Sequence, residues 1–134
     1  MATKRKSACA SSVRTSRTDM LTFELRLEYL IADTAVPDWD EEGGCAIPAG
    51  CWEPVREIVM LVRTRLQGLP DPHPSASGDG SRHLRWAFRN NRFDVELVEN
   101  GAIIWARRIG QTYSSGKIGS PEELLELLKE TFNV

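Results

Sequence analysis

The residues best equipped for chemistry crowd into one stretch, "PDWDEEGGCAIPAGCW", residues 37–52, which holds four acids, two cysteines and two tryptophans. Asp38, Asp40, Glu41 and Glu42 are the oxygen ligands a calcium-type ion prefers. They lack the alternating ligands and closing glutamate of an EF-hand loop, so a solvated acidic loop is the favoured reading. Cys45 and Cys51 could offer thiolates to zinc, with His73 and His83 as the remaining candidates. Structural zinc uses closely spaced Cys/His pairs, which this spacing is not, and Cys51 falls on the apolar stripe of the segment that follows. Both cysteines therefore read as small buried or half-buried thiols. "GQTYSSGKIG", residues 110–119, approaches a phosphate-binding loop but is one residue too long, and Ile118 stands where the magnesium-binding hydroxyl belongs. It reads as a glycine-rich connector. There is no G-x-S-x-G elbow, and neither histidine has an obvious serine or cysteine partner. No catalytic residue, metal or cofactor is expected.

A second group could bind rather than react. Arg82, His83, Arg85, Arg89 and Arg92 crowd one predicted hairpin with Trp105 nearby, and arginine with aromatics can grip a nucleic-acid backbone and stack on bases. Asp94 and Glu96 interleave with them, so a salt-bridged surface is favoured. Charge over the whole chain points the same way. Residues 1–17 carry five bases and no acid, whereas the remainder carries 12 bases against 19 acids. An acidic body does not make the domain-wide positive field of a dedicated nucleic-acid binder.

The elements that must position these groups follow from pattern. At 134 residues, with 41% hydrophobic and 27% charged content, one compact domain is expected over residues 18–134. Residues 1–17, rich in Ser, Thr, Ala and Lys/Arg, read as a disordered basic arm. The arm has no apolar core of a secretory signal, no apolar run is long enough to cross a bilayer, and three cysteines suit a reducing compartment. A cytoplasmic, membrane-free protein is expected.

"LTFELRLEY" alternates as a strand would, yet Phe23, Leu27, Leu30 and Ile31 also form a helical stripe. Strand and helix both stay open there. "WEPVREIVMLVRTRLQGLP" is a helix by the spacing of Cys51, Val55, Ile58, Val59, Val62 and Leu66, closed by Gly68 and Pro70. "PDPHPSASGDGS" reads as loop. Three strands follow in a meander: "HLRWAFR", "FDVELVE" and "AIIWARRI", joined by two-residue turns at Asn90–Asn91 and Asn100–Gly101. These turns set Leu84, Trp86 and Phe88 opposite Leu97, Val95 and Phe93, with Ile104 and Ala106 continuing the apolar side. The other face then carries Arg85 opposite Glu96, Asp94 opposite Arg107, and Trp105. "SPEELLELLKETF" opens with a capping box, Ser120 as N-cap and Glu123 reaching back. The expected fold is a two-layer α+β domain, a three-stranded antiparallel meander packed by helices, in the order α-α-β-β-β-α with the first element alternatively a strand.

Trp39, Asp40, Gly43, Gly44 and Pro48, then Leu69, Pro70 and Pro74, then Asp79, Gly80 and Trp86, spell W-D-x-x-G-[A/G]-x-P, L-P-x-x-x-P and D-G-x-x-x-x-x-W. In this the chain resembles a group of small bacterial and phage proteins linked to mobile elements, over a span from about residue 25 to the end. The resemblance implies a short helix before the W-D, hence a helix over residues 20–33, and a mobile-element context; it implies no activity. The chain departs from the pattern in Glu41, where many members have glycine, and in its basic N-terminal extension.

Together these readings predict a small non-enzymatic protein of bacterial or phage origin. It would act stoichiometrically on a protein partner, itself a nucleic-acid-binding host protein or a toxin, as an inhibitor, antitoxin, immunity or anti-defence (anti-CRISPR-like) factor. The candidate partner-binding residues are Asp38, Trp39, Asp40, Glu41, Glu42, Arg85, Arg89, Trp105 and Arg107. The alternative is a nucleic-acid-associated regulator using the basic arm and the Arg-rich hairpin. A homodimer, with a second copy covering the polar sheet face, also stays open. "WDEEGG" itself is expected to be a folded turn first, anchored by Trp39, with Asp40 bonding backbone amides and an acidic rim that doubles as a partner site.

Overall fold

The computed structural model describes residues 22–134, so the predicted basic arm lies outside the described residues. The first element is a helix, α1 (Phe23–Thr34), not a strand. Thr22 caps it, its hydroxyl accepting from Leu25 N at 3.3 Å. Phe23 and Leu27 are buried and Leu30 and Ile31 pack on the core, while Leu25 and Tyr29, apolar in the strand pattern, face water. Leucine, glutamate and arginine all favour helix, and the helical stripe outweighs the alternation.

A loop leads to a 3-10 turn, Ala49–Trp52, and to α2 (Glu53–Arg65), with Pro54 in its first turn. Val55, Val59 and Val62 bury its inner face. Cys51 does not: it is exposed in the 3-10 turn, and Trp52 is the residue that plugs the core there. Five antiparallel strands follow in simple order, β1 (His73–Ala76), β2 (Arg82–Phe88), β3 (Asn91–Leu97), β4 (Ile103–Ile109) and β5 (Thr112–Lys117), and α3 (Pro121–Phe132) closes the chain. Two segments expected to be irregular are therefore edge strands. "PDPHPSASGDGS" contains β1, whose Pro74 is tolerated because it is an edge, and the glycine-rich connector contains β5. The order is α-α-β-β-β-β-β-α.

The sheet register differs from expectation in both inner hairpins. Between β2 and β3 the turn residues are Arg89 and Asn90, both at positive φ (54° and 66°), as a type I′ turn requires. Asn91 is drawn into the strand because its side-chain amide is used elsewhere. It donates to Thr131 O at 2.8 Å, and its oxygen accepts from Gly110 N at 3.1 Å. Leu84 then faces Val95 and Trp86 faces Phe93, a two-residue shift that keeps every side chain on its expected side.

The β3–β4 hairpin shifts by one, which inverts β4. Val98 and Ala102 close a three-residue loop, with Gly101 N donating to Val98 O and Gly101 at φ 93°. This is the type I turn plus glycine bulge in place of a two-residue turn. Val95 now faces Trp105 and Leu97 faces Ile103. Trp105 and Arg107 thus lie on the helix-covered side, and Ile104 and Ala106 on the open one, the reverse of the predicted assignment. The expected pairs of Arg85 with Glu96 and Asp94 with Arg107 are not formed; Arg85 faces Asp94, and Glu96 faces His83 and Ile104.

All three helices lie on one side of the sheet, packing α1 on β1 and α3 on β3 and β4. Trp52, Trp86, Phe93, Phe132, Leu27, Leu84 and Leu128 form the centre of the core. Ser120 caps α3 as expected, Glu123 N donating to Ser120 Oγ at 3.2 Å, while Glu123 Oε1 reaches one residue beyond the N-cap and accepts from Gly119 N. Arg82, only 7% exposed, donates to three backbone carbonyls, those of Cys51, Leu97 and Val98, and so ties the 3-10 turn to the β3–β4 hairpin.

Candidate functional site

The loop containing residues 37–48 is built as a closed turn whose acids point largely at its own backbone. Asp38 stands at φ 59° and Glu41 at φ 64°, conformations that reverse the chain twice in four residues. Asp38 Oδ1 accepts from Gly43 N at 2.6 Å, and Asp38 N donates to Gly44 O at 2.7 Å. Asp40 Oδ1 accepts from Glu42 N at 3.0 Å and from Gly44 N at 2.7 Å. The Trp39 indole donates to Cys45 O at 2.8 Å. A side chain on either neighbouring glycine would collide with the Asp40 carboxylate. A Cβ on Gly44 would stand 2.6 Å from its Oδ1, and a Cβ on Gly78 2.6 Å from its Oδ2. Asp40 is thus clamped between its own loop and the β1–β2 turn, and Cys45 N, donating to Gly78 O at 2.8 Å, closes the same seam. The turn expected from the sequence is present. Two of its four carboxylates, Asp38 and Asp40, hold it shut, and Glu42 remains at its exposed rim.

The basic candidates lie elsewhere. Hairpin turns alternate between the two ends of the sheet, so Arg89, in the β2–β3 turn, sits at the opposite end from the acidic loop. Its guanidinium stacks over Phe88 at 4.7 Å from the ring centre. Arg85 lies on the open face and is paired to Asp94 at 2.7 Å; Arg92 shares that carboxylate at 3.2 Å. Arg107 is inside the covered layer, donating to Glu130 (2.6 Å) and to the hydroxyls of Ser114 (3.1 Å) and Thr131 (3.4 Å). It stitches β4, β5 and α3 together. Trp105 stacks on Phe93, centroids 5.7 Å apart and nearly parallel, and its indole covers Gly116 so closely that a Cβ there would lie 3.0 Å from Nε1. Of the nine candidate residues, five lie in the acidic turn, Arg85 on the open face, Arg89 in the β2–β3 turn at the far end of the sheet, and Trp105 with Arg107 in an internal seam. They do not converge on one site.

One pairing escaped the sequence reading. Ser77 Oγ lies 2.6 Å from His83 Nε2. A hydroxyl against an imidazole is two thirds of a nucleophile–base relay, which also needs a carboxylate to orient the ring and donors for the developing oxyanion. Glu96 faces His83 across β2–β3 without a hydrogen bond to it, and Asp79 is committed to Ser81 N at 2.9 Å, a bond that holds its carboxyl below the ordinary range. As arranged, Ser77 and His83 tie β1 to β2. The signal was hidden because the pair exists only once residues 73–76 are a strand in register with β2.

Among the described residues, no three His, Cys, Asp or Glu side chains are grouped to hold a metal, and no helix is long and apolar enough to cross a membrane. An apolar groove of about 450 Å³ lies between α2, the β3–β4 hairpin and the start of α3, lined in part by Pro54, Ile58, Leu61, Ile103, Ile118 and Leu124. Glu57, Lys117 and Ser120 also line it.

By fold, the described residues form a two-layer α+β protein, a five-stranded antiparallel meander with helices on one face and the other face open. The chain matches no family model, no curated protein and no solved structure.

Proposed function

We propose that this is a non-enzymatic binding protein of bacterial or phage origin that acts stoichiometrically on a protein partner, as an inhibitor, antitoxin, immunity or anti-defence factor. The observation that carries the reading is the segregation of charge by layer. Residues 22–72, which supply α1, the acidic loop and α2, carry ten acids against four bases, and residues 118–134, with α3, carry four against one. Residues 73–117, the sheet, carry seven bases against four acids. Such an acidic helical layer is suited to a cationic partner surface, including one that binds nucleic acid, and long-range attraction speeds such encounters.

The proposed contact surface uses the exposed acids Glu42 and Glu57, because Asp38 and Asp40 are engaged in holding the loop. A tagged pull-down from native lysate, with and without nuclease, tests the reading. A stoichiometric protein that survives nuclease and is lost from a Glu42→Lys/Glu57→Lys variant supports it. Capture of the same protein at wild-type yield by that variant refutes the surface.

A second reading has its own observation. On the open face Arg85, Arg92, Arg108 and Lys117 outnumber Asp94 and Glu96, and positions 1–17 of the sequence hold a further five bases. A nucleic-acid-associated regulator would use that face. Trp105, however, is turned to the other side, which leaves Tyr113 as the exposed aromatic there. A mobility-shift titration at two salt concentrations separates the readings, because phosphate contacts make affinity steeply salt-dependent.

A further inference from the structure

The two edges of the sheet are not equivalent. β1 is four residues long, contains Pro74, follows Pro72 and is packed by α1. These are the devices that keep an edge from pairing. β5 has none of them. It is six residues long, holds no proline and a single charge, Lys117, and five of its residues are exposed.

Its backbone is also oriented to pair. Ile118 N donates to Ile103 O at 2.9 Å, and opposing residues in an antiparallel ladder alternate between hydrogen-bonded and non-bonded pairs. Thr112, Ser114 and Gly116 therefore turn their amides and carbonyls toward β4. Those of Tyr113, Ser115 and Lys117 point out of the edge.

We propose that β5 pairs with β5 of a second copy of this chain, antiparallel, with the two-fold axis at Ser115, to give one continuous sheet of ten strands. The strand is self-complementary in that register. Side chains opposite one another must share a face, so the axis must pass through a residue and not between two. With the axis at Ser115, all three outward-pointing residues form bonded pairs, Ser115 with the partner's Ser115 and Tyr113 with the partner's Lys117. With the axis at Ser114, Lys117 would instead meet Gln111 in the β4–β5 turn. Tyr113, 68% exposed in the single chain, gains a cation against its ring on each side of the axis.

Nothing in the strand opposes the pairing. The two lysines lie four residues apart along the ladder, roughly 13 Å, beyond the ~8 Å screening length at physiological salt. On the inner face Ser114 meets the partner's Gly116, and residues this small clear the indole of Trp105. The edge alone buries less than the roughly 1,600 Å² of a standard interface, so a dimer that dissociates in about the micromolar range is expected. The helical layers of both copies stay on one side and uncovered, so the assembly is independent of the proposed binding function.

Sedimentation velocity of the full chain from low to high micromolar concentration should show the mass doubling, and Ser115→Pro should abolish the doubling with an unchanged circular dichroism spectrum. Proline is tolerated there because the amide it removes points out of the sheet. The register is tested by cross-linking with Cys9, Cys45 and Cys51 replaced by serine. Ser115→Cys places two thiols across the axis with Cα atoms about 5.5 Å apart, within disulfide range, and should oxidise to a covalent dimer. Ser114→Cys should not. A chain that stays monomeric at every concentration, or a Ser115→Pro variant that still dimerises, overturns the proposal. Cross-linking through position 114 in place of 115 overturns the register. If Ser115→Pro fails to fold, the cross-linking pair decides alone.

Discussion

Asp40→Ala is the substitution that most directly tests how the acidic loop is held. It removes the acceptor of two backbone amides, Glu42 N and Gly44 N, and empties the space between Gly44 and Gly78. A hydrogen bond to a charged group contributes about 1.5–3 kcal/mol when well shielded, and Asp40 is only half-buried, so a combined loss of about 2–3 kcal/mol is expected. Urea unfolding should show it as a midpoint lower by roughly 1–2 M at unchanged slope, given slopes of about 1–3 kcal/mol/M for small domains. Asp40→Asn, which keeps an oxygen and loses the charge, should cost about 1 kcal/mol. The sharper control is Gly44→Ala. Gly44 is not at positive φ, so the cost of a methyl there comes from its collision with the Asp40 carboxylate. In the Asp40→Ala background the collision is gone and the methyl should be tolerated, a coupling of about 1 kcal/mol or more in a double-mutant cycle. An Asp40→Ala loss under about 0.5 kcal/mol, or a Gly44→Ala cost equal in both backgrounds, would refute the clamp.

Three further outcomes are expected. Ile104→Lys should leave the unfolding free energy within about 0.5 kcal/mol of wild type, whereas Trp105→Lys should cost about 3 kcal/mol or more by losing the Phe93 stack and burying an ammonium; the opposite ranking would restore the two-residue turn at Asn100–Gly101. Arg82→Met should cost about 2–3 kcal/mol, because three carbonyls lose their donor, and hydrogen exchange should quicken at both the 3-10 turn and the β3–β4 hairpin. The hydrogen bond from Arg63 holds the Glu24 carboxyl below its ordinary range in the folded chain. A depressed folded value stabilises above the unfolded value near 4.5 and is lost as pH falls through the folded one, so wild type should lose stability below pH 4.5 relative to Arg63→Met. With Glu24 more than half exposed the difference should stay below about 1 kcal/mol, and equal acid limbs for the two proteins would remove the pair from the account.

What could be read from the sequence was the local chemistry with strong periodicity or caps. α2 and α3 follow from the spacing of Val55, Val59 and Val62 and from the Ser120/Glu123 box, and the W-D loop was recognisable as a turn because Asp, Gly-Gly and Pro have few other uses in sequence. The edge strands escaped for opposite reasons. β1 hides behind Pro72 and Pro74, residues that rule out a central strand but not an edge. β5 has serines and a glycine where a strand signal needs branched or aromatic side chains, and Gly116 is there to admit the Trp105 ring. Neither reason is visible before the neighbouring strand is placed.

The face assignment of β4 turned on a single peptide unit. "ENGA" supports either a two-residue turn or a three-residue turn with a glycine bulge, and the two differ by one residue in β4. The structure uses the second solution twice. Ser77 to Ser81 and Val98 to Ala102 close in the same way, with a glycine at φ 93° in each. In each the preceding Asp79 or Asn100 accepts from the amide two residues on, at 2.9 Å. That side-chain bond favours the longer loop, since it satisfies the first amide after the glycine. The preference is worth a fraction of what burying Trp105 contributes, and the two act together: with the bulge, an indole that would have stood among arginines on the open face lies on Phe93 and closes the core beside α3. A surface inferred from strand alternation is only as secure as the turn that sets its parity. Here that parity put Trp105 and Arg107 on the helix-covered side and Ile104 and Ala106 on the open face.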